Sequence, residues 1–205
     1  MKKILTILLV FSFHYLVSNT LQAQERFDAS LMAGMNMCQI DGDVAGGFNH
    51  IGLRAGVGAS FAIGNNDGLR GIVELAYTQK GSFISDYNRR LSADYVEVAM
   101  MLGYDMLDSR LRIALGVAPG VLVRANVTNN GSYDQASSDN FKPVDWLPAV
   151  FSIRYLLTNH IGIELRGQNS LLSVTKENAT GTYRIFRSNT GAFNRLITIG
   201  LGYKF

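Results

Sequence analysis

The segment Asn194–Phe205 restricts the fold more than any other stretch of the chain. Ile197, Ile199, Leu201, Tyr203 and Phe205 are apolar, while Thr198, Gly200, Gly202 and Lys204 between them are small or polar. A period of two is the pattern of a β-strand with one apolar face. Chain ends usually fray in water. An apolar strand running flush to a terminal aromatic is therefore better served by a bilayer, with its odd face in lipid and its end at the interface. The competing solution is a core strand of a soluble β-sandwich, and the rest of the chain must decide between them.

The opposite end has the pattern of a secretory signal peptide. Lys2 and Lys3 precede the apolar run Ile4–Phe13, and Ser18–Ala23 forms a small and polar exit, with cleavage expected after Ala23. The expected organisation is a signal peptide over 1–23 and one domain over 24–205. The apolar run is shorter than the roughly 20 residues of a membrane-spanning helix. No long apolar stretch follows it, so insertion into a bilayer requires a closed barrel. Without Lys2 and Lys3 the 19 basic residues fall to 17 against 16 acidic ones, a net charge of +1. With no basic patch interleaved by aromatics, nucleic acid is not an expected partner. The single cysteine, Cys38, excludes an intrachain disulfide framework. It is placed in a loop as a bystander.

Period-two alternation recurs over 28–37, 50–63, 69–79, 95–106, 111–123, 146–157, 161–168 and 194–205, giving eight candidate strands. The connections alternate in length. Segments near 38–48, 80–92, 125–144 and 173–193 are long, whereas 64–68, 107–110 and 158–160 are short. Transmembrane barrels have short periplasmic turns and long outer loops. With both termini in the periplasm, every long segment falls outside the cell. An even strand count closes the sheet without an edge. The expected fold is all-β, an eight-stranded antiparallel up-and-down transmembrane barrel in the cell outer membrane.

Several motifs carry a family resemblance. They are Ala23-Gln24 at the signal exit, Ala33-Gly-Met-Asn36 with Asp41-Gly-Asp43, the glycine-alternating second strand, Tyr95-Val-Glu97, and Gly202-Tyr-Lys-Phe205. Together they resemble the porin-like, PorT-like outer-membrane β-barrel family of Bacteroidetes. At the fourth strand Ala99-Met-Met101 stands where that family has an apolar-Pro step. The end of the chain resembles the C-terminal assembly signal of bacterial barrels, which implies Tyr203 and Phe205 as its key residues and the barrel-assembly machinery as a partner. The resemblance implies a barrel in contact with outer-membrane lipid. A role in type IX secretion or envelope assembly is an alternative that it raises.

The strand faces opposite the apolar ones carry Arg54, Arg70, Glu74, Glu97, Arg112, Arg154, Glu164, Arg166 and Lys204. In an eight-stranded barrel these face a lumen just wide enough for side chains. Pairing is expected there, because unpaired buried charge is costly. The expected interior is a salt-bridged plug of Arg54, Glu74, Glu97, Arg112, Arg154, Glu164 and Arg166, with Arg54, Glu74, Glu97 and Arg112 clustered on consecutive strands. Glu74 and Glu97 as a catalytic carboxylate pair are the weaker alternative, since each has arginines nearby. Outside the signal peptide only His50 and His160 remain, at opposite ends of the barrel. No metal, cofactor or catalytic site is expected, and an enzyme that modifies lipid is the further alternative. Trp146 and Tyr133 are placed at the outer rim, and Tyr104, Tyr155 and Tyr203 at the periplasmic one. Tyr183, Phe186 and Phe193 are candidates for a partner surface or for packing on the rim. The expected function is structural or interactive, through four outer loops open to a protein partner.

Overall fold

The computed structural model describes residues 27–42, 47–64, 68–176 and 191–205. The expected signal peptide lies outside them, as do Tyr183 and Phe186. The described residues form eleven strands and one short α-helix: β1 Phe27–Asp41, β2 His50–Ala62, β3 Leu69–Ile84, β4 Arg89–Met106, β5 Leu111–Val117, β6 Gly120–Asn129, β7 Ser132–Tyr133, α1 Gln135–Asp139, β8 Val144–Asp145, β9 Pro148–Leu156, β10 Ile161–Ser170 and β11 Phe193–Lys204. All pairings are antiparallel, and β1 pairs β11 from Ser30↔Lys204 to Asp41↔Phe193. That last seam closes the sheet. β5 and β6 form one stave interrupted at Ala118-Pro119. β8 and β9 form another, interrupted at Trp146-Leu147. Proline cannot donate to a ladder, yet the hydrogen bonding carries across both breaks. Val98 N donates to Pro119 O at 2.9 Å and Ala118 N to Pro148 O at 2.9 Å. Counted as staves, the barrel has eight strands.

The odd face of the terminal strand points away from the lumen. Ile199, Leu201, Tyr203 and Phe205 are exposed, as are Leu31 and Met35 on β1, Leu53 and Val57 on β2, and Leu102 and Tyr104 on β4. These residues have no protein to pack against, so the bilayer is the medium that covers them. A row of outward polar side chains bounds the apolar belt: Gln39 faces Arg195, Arg195 faces Asn169, Gln79 faces Asp94, and Asp94 faces Arg124. From Arg195 to Phe205 is ten residue steps of about 3.3 Å, which at a strand tilt near 40° gives about 25 Å of vertical height, the thickness of a barrel's apolar band. The lower edge carries an aromatic girdle. Phe27 and Phe61 have ring centroids 5.9 Å apart, Tyr203 meets Phe205 edge-on at 5.1 Å, and His160 stacks on Tyr203 at 5.6 Å. Trp146 and Tyr133 are exposed at the other end.

Two of the expected outer loops are largely folded. β3 continues to Ile84 and β4 begins at Arg89, so the segment 80–92 is a hairpin turned by a 3-10 turn over Ser85–Tyr87, with Asn88 at φ 42°. The segment 125–144 likewise begins as β6. It reverses at Asn130-Gly131, both at positive φ as a tight hairpin turn requires, and then forms β7, α1 and β8. α1 is capped by Asp134, whose side chain accepts from Ser137 N. The polarity that suggested loops has another cause. Above the bilayer both strand faces leave lipid, so the apolar stripe ends while the strand does not. Cys38 is similarly within β1 and fully buried, not in a loop.

Candidate functional site in the barrel interior and outer mouth

The inward residues stack in layers along the barrel axis. Glycines make room for them. At the closing seam a Cβ on Gly34 would lie 2.8 Å from Ile199 O and 2.9 Å from Gly200 Cα, so the backbones of β1 and β11 approach more closely there than a side chain permits.

The layer nearest the start of β1 and the end of β11 joins Asp28, Arg70, Asp105, Arg112 and Lys204. Arg112 binds Asp105 with both arms, at 2.5 Å and 2.9 Å, and Arg70 Nε reaches the same carboxylate at 3.1 Å. Lys204 Nζ lies 3.0 Å from Asp28.

The middle layer centres on Glu74. Its Oε2 accepts from Arg54 at 2.8 Å and Arg166 at 2.7 Å, while Oε1 lies 3.4 Å from Arg154 Nη2. Arg154 also clasps Glu164 at 2.6 Å and 3.1 Å. Arg166 is wholly inaccessible to solvent, at 0% exposure. A small apolar cluster, Ile72, Ala99, Met101, Ala114, Ala118 and Val150, packs beside these groups.

The upper layer is built on Lys80. Its Nζ lies 2.7 Å from Glu97 and 3.2 Å from Asp145, and 4.7 Å above the Tyr95 ring. Glu97 also accepts from Thr78 at 2.8 Å and Gln168 at 2.7 Å, and Asp145 accepts from Ser170 at 2.6 Å. Above this layer Ile40, Ala93, Tyr95, Val127, Phe141, Val174 and Ala192 form a buried apolar cap across the mouth.

Of the seven interior residues expected to pair, Arg54, Glu74, Arg154, Glu164 and Arg166 meet in one network. Glu97 and Arg112 do not join it. Glu97 is one layer higher, held by Lys80, and Arg112 one layer lower, held by Asp105. Being on consecutive strands gives no common height, because the staves are tilted and staggered. Sequence reasoning missed Lys80 and Asp145 because they lie in segments too polar to read as strands. Asp105 shares the inward parity of Glu97, which was signal enough to find it. Tyr203 and Phe205 sit at the periplasmic girdle, and Phe193 opens β11 opposite Asp41. His50 and His160 lie at opposite ends, and among the described residues no cluster of histidine, cysteine or carboxylates could hold a metal ion.

The layers differ in charge. The lower and middle ones each hold three cations against two carboxylates, and the upper one holds Lys80 against Glu97 and Asp145. The lumen is near neutral as a whole but polarised along its axis, positive towards the end where β1 begins and β11 ends.

Comparison with known proteins agrees with this geometry. No curated protein matches the sequence. Among solved structures the chain is similar to Ail, the attachment invasion locus protein of Yersinia pestis, with TM-score 0.51 at 13% identity over 88% of this chain and 99% of that one. Ail in complex with the heparin analogue sucrose octasulfate gives 0.50 at 12% over the same shares. Neisserial surface protein A gives 0.50 at 15% over 87% of this chain and 97% of that one. Identities this low establish a shared fold and nothing of its use. Residues 22–176 match the family described as outer membrane protein beta-barrel domain. With its closed sheet, lipid-facing belt and plugged lumen, the chain is a small protein of the outer membrane and belongs to that family.

Proposed function

We propose that this barrel is neither a diffusion pore nor an enzyme, and that it acts through the folded segments above its outer rim. The observation that carries this reading is the filled lumen. An ion crossing it would have to displace Arg166 from Glu74, then Lys80 from Glu97 and Asp145, and then part the Phe141–Val127 cap. Both glutamates of the alternative catalytic pair are engaged, Glu74 by three arginines and Glu97 by Lys80, which favours a structural role for them over proton transfer. What remains distinctive is the outer end, where β3, β4 and β6 rise beyond the belt and carry α1. Purified protein in a planar bilayer should give a current indistinguishable from the protein-free membrane at either polarity. Reproducible conductance steps would sink the reading.

A finer kinship with the PorT-like barrels, and with it a place in a secretion or envelope-assembly complex, is a second proposal. It is supported by the motifs at Ala33–Asn36, Tyr95–Glu97 and Gly202–Phe205. Extraction of the chain from its native membrane in mild detergent tests it. Stoichiometric co-purification of envelope proteins would support the proposal, and a solitary barrel on a native gel would count against it.

A further inference from the structure

Where β2 and β3 approach the outer surface their backbone ladder stops. The last paired rung is Arg54↔Thr78, although β2 starts at His50 and β3 runs on to Ile84. Side chains bridge the parted strands. Leu53 N donates to Gln79 Oε1 at 3.1 Å, Asn36 Nδ2 donates to Gln79 O at 3.0 Å, and higher up Phe83 N donates to Asn49 Oδ1 at 3.0 Å. On the outward side of this break lies a cavity of about 250 Å³ lined by His50, Gln79, Ser92, Asp94, Arg124 and Asn126. Gln79, Asp94 and Arg124 belong to the polar row that bounds the apolar belt. Directly below them Leu53, Val96, Val121 and Val123 are exposed on the lipid face, and Ile51, itself part of the cavity wall, is exposed beside them. The cavity therefore opens at the depth where the polar headgroups of the outer leaflet begin.

Its polar groups are mixed in sign. Arg124 and its cross-strand neighbour Asp94 form no ion pair among the described residues. Asn126 Oδ1 is buried without a hydrogen-bond partner among them. A bare anion would gain from Arg124 and His50 but be repelled by Asp94. A neutral sugar would gain from Asp94 and Asn126 and could accept from Arg124, but it would leave the guanidinium charge without a counter-anion. A phosphorylated sugar satisfies both halves, and acyl chains attached to it would continue down the exposed aliphatic stripe. We infer that this cavity holds the phosphorylated sugar headgroup of an outer-leaflet glycolipid. The phosphate binds the Arg124 guanidinium, which suits its geometry, assisted by His50. The sugar hydroxyls donate to the Asp94 carboxylate and to Asn126 Oδ1.

The test uses the full chain, exchanged into nanodiscs doped with lipid A or with the same lipid enzymatically dephosphorylated, and native mass spectrometry to count retained lipid. The wild type should keep one lipid A per barrel and retain the dephosphorylated form about tenfold less, the effect of losing one charge-assisted contact. Arg124→Ala should erase that preference, and Asn126→Leu should lower retention of both forms. Arg110→Ala, on the opposite rim, should change nothing. Heat-modifiable mobility reports folding, and Arg124→Gln replaces Arg124→Ala if the latter does not fold. The assignment is overturned if the wild type holds both lipids alike, if Arg124→Ala retains lipid A as the wild type does, or if Arg110→Ala loses it equally. Displacement of lipid A by an equal concentration of glucose 1-phosphate would also overturn it, by moving the ligand from the membrane to solution.

Discussion

Glu74→Gln and Glu97→Gln are the same chemical change at two buried glutamates, yet the charge of their layers predicts different costs. Glu74 faces Arg54, Arg154 and Arg166, and among the described residues the other carboxylate in ion-pair contact with these arginines is Glu164. Neutralising it leaves three guanidinium groups on one carboxylate. Two of them, Arg54 at 4% exposure and Arg166 at 0%, have no solvent to turn to. Removing one partner from a buried pair costs about 3–5 kcal/mol, because the other charge is stranded. Here one carboxylate serves several cations, so Glu74→Gln should fall at the upper end of that range. Glu97 sits in a layer with one cation and two carboxylates. Its neutralisation leaves Lys80 paired with Asp145, one to one, and removes a carboxylate in excess. The remaining loss is the charge-assisted part of the bonds from Thr78 and Gln168, about 1–2 kcal/mol. The layer argument also predicts a rescue. Adding Arg166→Met to Glu74→Gln leaves Arg54 and Arg154 against Glu164, which restores the original excess of one cation. About half of the lost stability should return. The assay is denaturant unfolding in lipid vesicles, followed by heat-modifiable mobility and by fluorescence of the sole tryptophan, Trp146. Equal costs for the two glutamines within about 1 kcal/mol, or no rescue by Arg166→Met, would refute the layered account of the lumen.

Other expectations are cheaper to test. Phe141→Ala should cost about 3–5 kcal/mol by opening a cavity in the cap, and protease added to intact cells should then cut within 130–140 where the wild type resists. Phe205→Ala should slow assembly in cells while leaving refolding in detergent intact, since the Phe205 ring is exposed at the girdle, edge-on to Tyr203, and its backbone bond to Ala29 O survives the change; equal slowing of both would point to a packing role instead. Hydrogen bonds from the backbone and then the side chain of Ser137 hold the Asp134 carboxyl below the usual aspartate range. A depressed folded value means that the cap contributes stability above the unfolded value and loses it as pH falls through the folded one. The protection of the Ser137 amide relative to its intrinsic exchange rate should therefore fall on acidification, and Asp134→Ala should remove that dependence. Leu107, Asp108 and Ser109 all have positive φ, so Asp108→Gly should stabilise the periplasmic turn by up to about 1 kcal/mol, read as a raised unfolding midpoint.

How much of this was legible in the sequence depended on where the solvent changes. Inside the belt one strand face meets lipid and the other the lumen, so alternation is sharp. Leu31–Met37, Ile51–Val57 and Ile197–Phe205 declare both the strand and the parity of its residues. That is why Glu74, Arg154, Glu164 and Arg166 could be assigned to the lumen from parity alone. Height along the axis is a different quantity. It depends on the stagger between staves, which no local pattern encodes, and so Glu97 and Arg112 were grouped with Glu74 although each belongs to a neighbouring layer. Above the belt the outward face is wet, and the contrast that marks a strand disappears from 80–84 and 124–129. Lys80 was lost there, and Asp145 was lost beside it in a stave broken by Trp146-Leu147. These two residues cancel in charge, so the upper layer keeps the sign of Glu97, which they complete as a network. The inward residues legible from parity carry six cations against three carboxylates, and it is Asp28 and Asp105 that reduce this excess from three to one. With Lys80, Asp145 and Glu97 placed together the upper layer is a bonded network, closed above by apolar residues that the same wet segments contribute.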